Sequence, residues 1–119
     1  MKGHRDLLVW QKSMALVTDI YRVTQSFPQC ELYGLTNQIR RAAVSVPSNL
    51  AEGHGRTSRK EFHRFVGQAR GSLTEVETQL EIARNLNYLT EDNARELLDR
   101  ASEVARMLNG LKAWCESAS

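Results

Sequence analysis

The residues best equipped for chemistry lie in one short stretch. From His54 to Arg64 the chain reads HGRTSRKEFHR, and in these eleven residues His54, Arg56, Arg59, Lys60, His63 and Arg64 stand against Glu61 as the one acid. Guanidinium forks match phosphate oxygens in pairs, and a helix starting at Ser58 would add free N–H groups and the positive end of its dipole to the same place. The chemistry this suits is phosphate binding, with Arg56, Arg59, Lys60 and Arg64 as the contacts. Arg40 and Arg41 are helpers in this reading, or else pair with Glu52 or a neighbour. The competing account is a solvated basic loop that meets acidic residues of the fourth helix or of another chain. Sequence-specific readout is not expected, because no aromatic residue is interleaved in the exposed part of the run and no helix-turn-helix signature is present.

Other chemistries find little support. A di-iron site in a helical bundle needs inward carboxylates and a Glu-x-x-His spacing, which this sequence lacks, and His4, His54 and His63 have no second ligand at metal spacing. Ser45 and Ser48 come without a nucleophile elbow or oxyanion-hole sequence, and the GHG at Gly53 to Gly55 lacks the lysine and hydroxyl of a phosphate loop. Cys30 and Cys115 form neither a CxxC pair nor a disulfide framework and read as reduced thiols. The expectation is therefore a non-enzymatic protein with no metal and no cofactor. A net charge of +2 over 119 residues argues for no partner by itself. Its distribution is more telling: residues 36–70 carry seven basic and two acidic groups, whereas residues 71–119 carry five and nine. Such a molecule can pair its own faces, stack on copies of itself, or offer its basic end to an anion.

Four helical patterns must position these groups, at 7–26, 36–53, 58–88 and 90–115. The first has two apolar rows, Trp10, Met14, Val17, Tyr21 and Val9, Leu16, Ile20, Val23, a face too wide for one neighbour. Phe27-Pro28 ends it. The second starts with Thr36 as N-cap and carries the core row Leu35, Ile39, Ala42, Val46, Leu50. Pro47 lies inside that row's unbroken spacing and predicts a kink rather than a stop, while Gly53 suits a left-handed turn that ends the helix. Val44, Pro47 and Ala51 make a small-residue row, which fits under a neighbouring helix or at a subunit interface. Ser58 with Glu61 forms a capping box for the third helix, with Thr57 as an alternative cap. Phe62, Val66, Ala69, Leu73, Val76, Leu80 and Ala83 then follow at three-and-four spacing. Gly67 and Gly71 on that helix suggest close backbone packing as compensation for their low helix propensity. Thr90 caps the fourth helix, whose core row is Ala94, Leu97, Ala101, Val104, Leu108 and Leu111, widened by Leu98 and Ala105, and the tail after Cys115 is expected to fray.

Short connections and the absence of a strand pattern give an all-α, up-down-up-down antiparallel four-helix bundle, a single domain over residues 1–119. No apolar run approaches the roughly 20 residues that span a bilayer, and charge interrupts the start too soon for a signal peptide, so a cytoplasmic location with no membrane contact is expected.

Three stretches, DLLVWQKSM, ELYGLTNQIRRAAVSVPSNLAEGHGR and EFHRFVGQARGSLTEVETQLEIARNLNYL, resemble the bacterial four-helix bundle proteins of the 23S rRNA intervening-sequence family. The resemblance covers nearly the whole chain and implies ring-shaped homopentamers. Those proteins are similar to the accessory variability protein (Avd) of diversity-generating retroelements, a pentamer that binds a reverse transcriptase and nucleic acid. The resemblance supplies no catalytic residues, and the rRNA link reflects where some family genes lie. Two partner classes are implied: RNA or DNA, and a protein held by a scaffold that touches no nucleic acid.

Overall fold

Why the chain folds as it does is clearest at its helix ends. In the computed structural model, which describes residues 3–56 and 58–117, four helices run α1 Leu8–Thr24, α2 Leu35–His54, α3 Arg59–Asn85 and α4 Glu91–Ser117. Short 3-10 turns at His4–Asp6 and Gln29–Glu31 precede α1 and α2. The hydroxyls of Ser58 and Thr90 accept the N–H groups of Glu61 and Asn93, each at 3.1 Å, and so satisfy donors that a helix start leaves orphaned. The other proposed cap for α3, Thr57, lies outside the described residues. Asn87 ends α3 at φ 61°, with the N–H of Tyr88 on the Ala83 carbonyl and that of Asn87 on Arg84, a Schellman closure with asparagine in the place usually held by glycine.

Two helix ends differ from expectation. Helix α2 starts at Leu35, because the Glu31 carboxylate reaches forward to accept the Leu35 N–H at 3.1 Å; Thr36 is thereby the second residue of the helix, and buried. Gly53 does not close α2 in a left-handed turn. It is helical, no described glycine has positive φ, and the helix ends at His54 with Gly55 in ordinary right-handed geometry. Across Pro47 the helix is continuous, although the proline nitrogen has no N–H to give to the Ala43 carbonyl.

Each helix packs on the next in sequence and α1 closes the ring against α4, giving an up-down-up-down bundle of 46 × 23 × 20 Å with no strand among the described residues. The core rows anticipated on α2 and α3 are buried throughout, and on α4 Leu98 and Leu111 remain partly exposed. Ile39, Leu50, Leu73, Leu80 and Leu108 are wholly inaccessible. On α1 the second row, Val9, Leu16 and Ile20, enters the core, whereas Met14 and Tyr21 stay 40% exposed. Polar ties complete the α1–α4 seam: Lys12 meets Glu103 at 3.1 Å, and Asp19 accepts from Arg100. The Arg100 guanidinium, helped by Arg22, holds the Asp19 carboxyl below the usual carboxylate range against the opposing effect of burial. No described helix is long and apolar enough to cross a membrane.

Candidate nucleic-acid interface

The turn between α2 and α3 puts the basic run at one end of the bundle. Its tightness depends on Gly53, where a Cβ would lie 2.5 Å from the Phe65 Cβ and 3.0 Å from the Phe62 ring; only a missing side chain lets α2 finish this close to the first turns of α3. Gly67 and Gly71, by contrast, face open space with no atom near a would-be Cβ, so the close packing expected at them is absent. Because α4 returns antiparallel to α3, its last turns come to the same end as α3 begins, and they bring Leu111, Trp114 and Glu116 beside the basic residues.

There the chain encloses a cleft of about 440 Å³, with Leu7, Phe62, Leu111 and Trp114 as its apolar walls and His54, Arg56 and Arg59 at its rim. The Arg59 guanidinium sits 3.6 Å from the centroid of the Trp114 ring. Arg56 and Arg64 flank buried Phe65 at 5.2 and 4.5 Å from its centroid, and His54 meets Phe62 edge to face. Stacking on Trp114 holds the Arg59 guanidinium near the surface and leaves its edges available for hydrogen bonding.

Acids moderate the charge. Arg56 pairs with Glu52 at 2.9 Å, Arg64 with Glu61 at 3.2 Å, and His63 with Glu116 at 3.1 Å. Hydrogen bonds from Arg64 hold the Glu61 carboxyl below its ordinary value, and the same bonds raise Arg64. Arg59 and Lys60 have no ion-pair partner among the described residues. The ion pair between the basic segment and the fourth helix is thus made by His63, while Arg56 reaches back to Glu52 of α2 and Arg64 pairs along α3. Exposed pairs of this kind contribute little, because water and salt screen them, so an incoming phosphate can displace them at small cost.

The structure gathers Arg56, Arg59, Lys60 and Arg64 but not Arg40 and Arg41, which lie roughly 20 Å back along α2 at about 1.5 Å per residue. Arg40 is engaged internally: it donates to Thr24 Oγ1 at 2.8 Å and the Tyr21 carbonyl at 3.2 Å, and it lies over the Tyr21 ring. Arg41 is exposed on a shallow polar groove with Ser45, Ser72 and Glu75. The residue that reasoning along the chain missed is Trp114, fifty residues from the basic run. Its signal was available in the lengths of α3 and α4, which as antiparallel neighbours must bring their far ends together.

On a different face, Val44, Pro47 and Ala51 of α2 join Trp10, Met14 and Val17 of α1 around an apolar groove of about 330 Å³. Pro47 is buried there, Ala51 half-buried, and Val44 39% exposed. Both cysteines are free; burial pushes the Cys115 thiol above its ordinary range despite the opposing pull of Arg59, and Cys30 is exposed. No group of three His, Cys, Asp or Glu among the described residues could hold a metal.

Fold and sequence together define an all-helical bundle protein with a polarised basic end. The chain belongs to the 23S rRNA-intervening sequence protein family, whose model matches residues 5–110. A crystal structure of a protein of unknown function from the S23 ribosomal protein family, from Bacteroides thetaiotaomicron VPI-5482, is similar to it with a TM-score of 0.80 at 21% identity, over 88% of this chain and 98% of that one. Among curated proteins, none matches the sequence.

Proposed function

We propose that this protein is a non-enzymatic nucleic-acid-binding module that acts as a homo-oligomer and holds phosphate backbone at the α2–α3 end of the bundle. The observation that carries this reading is the placement of Arg56, Arg59, Lys60 and Arg64 around the N-terminus of α3, where the helix dipole adds to their charge and no core residue is needed to hold the ligand. Phosphate oxygens bind the guanidinium edges and the Lys60 ammonium without reading sequence. One such patch is weak, since three carboxylates stand among its four cations. Repetition around a cyclic oligomer, a pentamer by family resemblance, multiplies it along one strand. The groove of Trp10, Met14, Val44, Pro47 and Ala51 is the subunit contact in this scheme.

Binding of generic RNA and DNA over a salt series tests the proposal. Affinity should fall steeply with salt, and the slope should shrink when Arg56, Arg59 and Lys60 are all changed to Ala, while oligomer size by light scattering stays fixed. A second reading, a protein scaffold without nucleic acid, draws on the partly exposed apolar groove and on the internal pairing of Arg56 and Arg64. It takes over if binding is absent at low salt, or if the triple variant dissociates into monomers with its slope unchanged. A monomer at micromolar concentration would remove the ring and the avidity argument with it.

A further inference from the structure

The cleft at the basic end has a property that backbone binding alone does not use. A site for phosphate needs only charge and N–H groups, yet here the cations rim a cavity whose walls are Leu7, Phe62, Leu111 and Trp114. Its volume of about 440 Å³ falls within the roughly 300–1,000 Å³ of small-ligand sites. Trp114 is 46% exposed although it is the largest side chain at this end, and the Arg59 guanidinium lies over it at stacking distance. Arg59 has no carboxylate partner among the described residues, so the indole is what positions it. A flat cation held at 3.6 Å over a flat aromatic presents its outer face as a further layer for stacking.

We propose that this cleft takes an unpaired nucleobase of a single strand: the base stacks on the Arg59–Trp114 pair against the apolar walls, and its flanking phosphates lie on Arg56 and Lys60. This rests on the phosphate-binding function above and narrows its ligand to single-stranded or locally unpaired nucleic acid. Charge complementarity selects this occupant, since a neutral apolar group would make no use of Arg59 and Lys60, which have no ion-pair partner among the described residues, and a bare anion would leave the walls uncovered. Stacking also needs no particular base, because every base has a π-face, and the cleft accordingly adds preference for unpaired strands without sequence specificity. In a duplex the same face is occupied by its neighbours, so paired nucleic acid reaches only the rim.

The experiment uses the full chain with both indoles, and the part of the emission change that Trp114→Ala abolishes is assigned to Trp114. Four probes are titrated at equal phosphate concentration: a short single strand, its duplex, an abasic strand of the same length, and inorganic phosphate. The single strand should quench Trp114 emission and bind roughly five- to a hundred-fold tighter than the abasic strand, with the same salt slope for both. Phosphate and duplex should leave the emission unchanged. Arg59→Lys keeps the charge and removes the planar stack; it should erase the preference for bases while the salt slope holds. Trp114→Ala should do likewise, and circular dichroism verifies that both variants stay folded. Equal binding of base-bearing and abasic strands with silent Trp114 emission would overturn the cleft proposal and leave phosphate binding standing. No binding of any strand at low salt would overturn both.

Discussion

The two ends of the bundle solve the same problem, turning a chain between helices, in opposite ways. At the end formed by the α1–α2 connection and the α3–α4 turn, polar groups are consumed internally. Glu31 caps α2 with one carboxylate oxygen and accepts from the Tyr88 hydroxyl at 2.9 Å with the other, Tyr88 packs on Phe27, and Arg40 is drawn onto Tyr21 and Thr24. At the α2–α3 end Arg56 and Arg64 pair with carboxylates three or four residues away, His63 reaches Glu116 of α4, Arg59 stacks on Trp114, and a cleft is left between the helices. A turn whose hydrogen-bonding groups are already satisfied contributes stability. One whose charges are held in place but loosely paired is free to take a ligand, and this contrast is why the proposed function is assigned to the second end.

The largest test concerns what both ends share. Leu73 and Leu108 are fully buried on α3 and α4, and replacing either by Ala should cost about 2–5 kcal/mol through lost contacts and a cavity. Urea unfolding should show both ends melting in one transition; separate transitions would mean that the ends are independently stable and the comparison is between two units.

Next in size is Gly53→Ala, which forces a Cβ into Phe65 and should cost about 1–3 kcal/mol. Gly71→Ala, in open space on the same bundle, should instead stabilise by up to about 1 kcal/mol through helix propensity. Opposite signs in thermal melts would mark the α2–α3 turn as the place where backbones truly approach.

A smaller effect belongs to the closed end. Tyr88→Phe removes the bond to Glu31 and should lower stability slightly. That bond, with burial and the Glu31 charge, raises the Tyr88 phenol above its ordinary value of about 10. The neutral phenol is the form the fold favours. Its contribution is therefore complete below the unfolded-state value and is lost as pH rises through the higher folded-state value. The wild type should lose stability over that alkaline window and the phenylalanine variant should lose less, as followed by chemical unfolding at a series of pH values.

Smallest of all, Arg56→Ala and Lys60→Ala should change stability by no more than about 0.5 kcal/mol, since both are exposed. Each should nevertheless lower the salt slope of nucleic-acid binding. A stability loss well above that at either position would mean that the basic end, like the other, is tied off for structure.

Periodicity along the chain was enough to identify the four helices, the core rows of α2, α3 and α4, and the caps at Ser58 and Thr90, because each depends on residues within one or two turns of one another. It misjudged what depends on a partner brought from elsewhere. Thr36 looks like a cap until the Glu31 carboxylate arrives to do that work, and Gly53, Gly67 and Gly71 cannot be told apart until the position of Phe65 is known. The row Trp10, Met14, Val17, Tyr21 reads as part of a face too wide for one neighbour, and only the packed bundle tells which of the two rows on α1 enters the core. The basic run was visible as a cluster of charge, since charge is a property of composition. Its cleft was not, because Leu7, Phe62, Leu111 and Trp114 are scattered over more than a hundred residues and meet only when antiparallel helices of matched length bring their ends together.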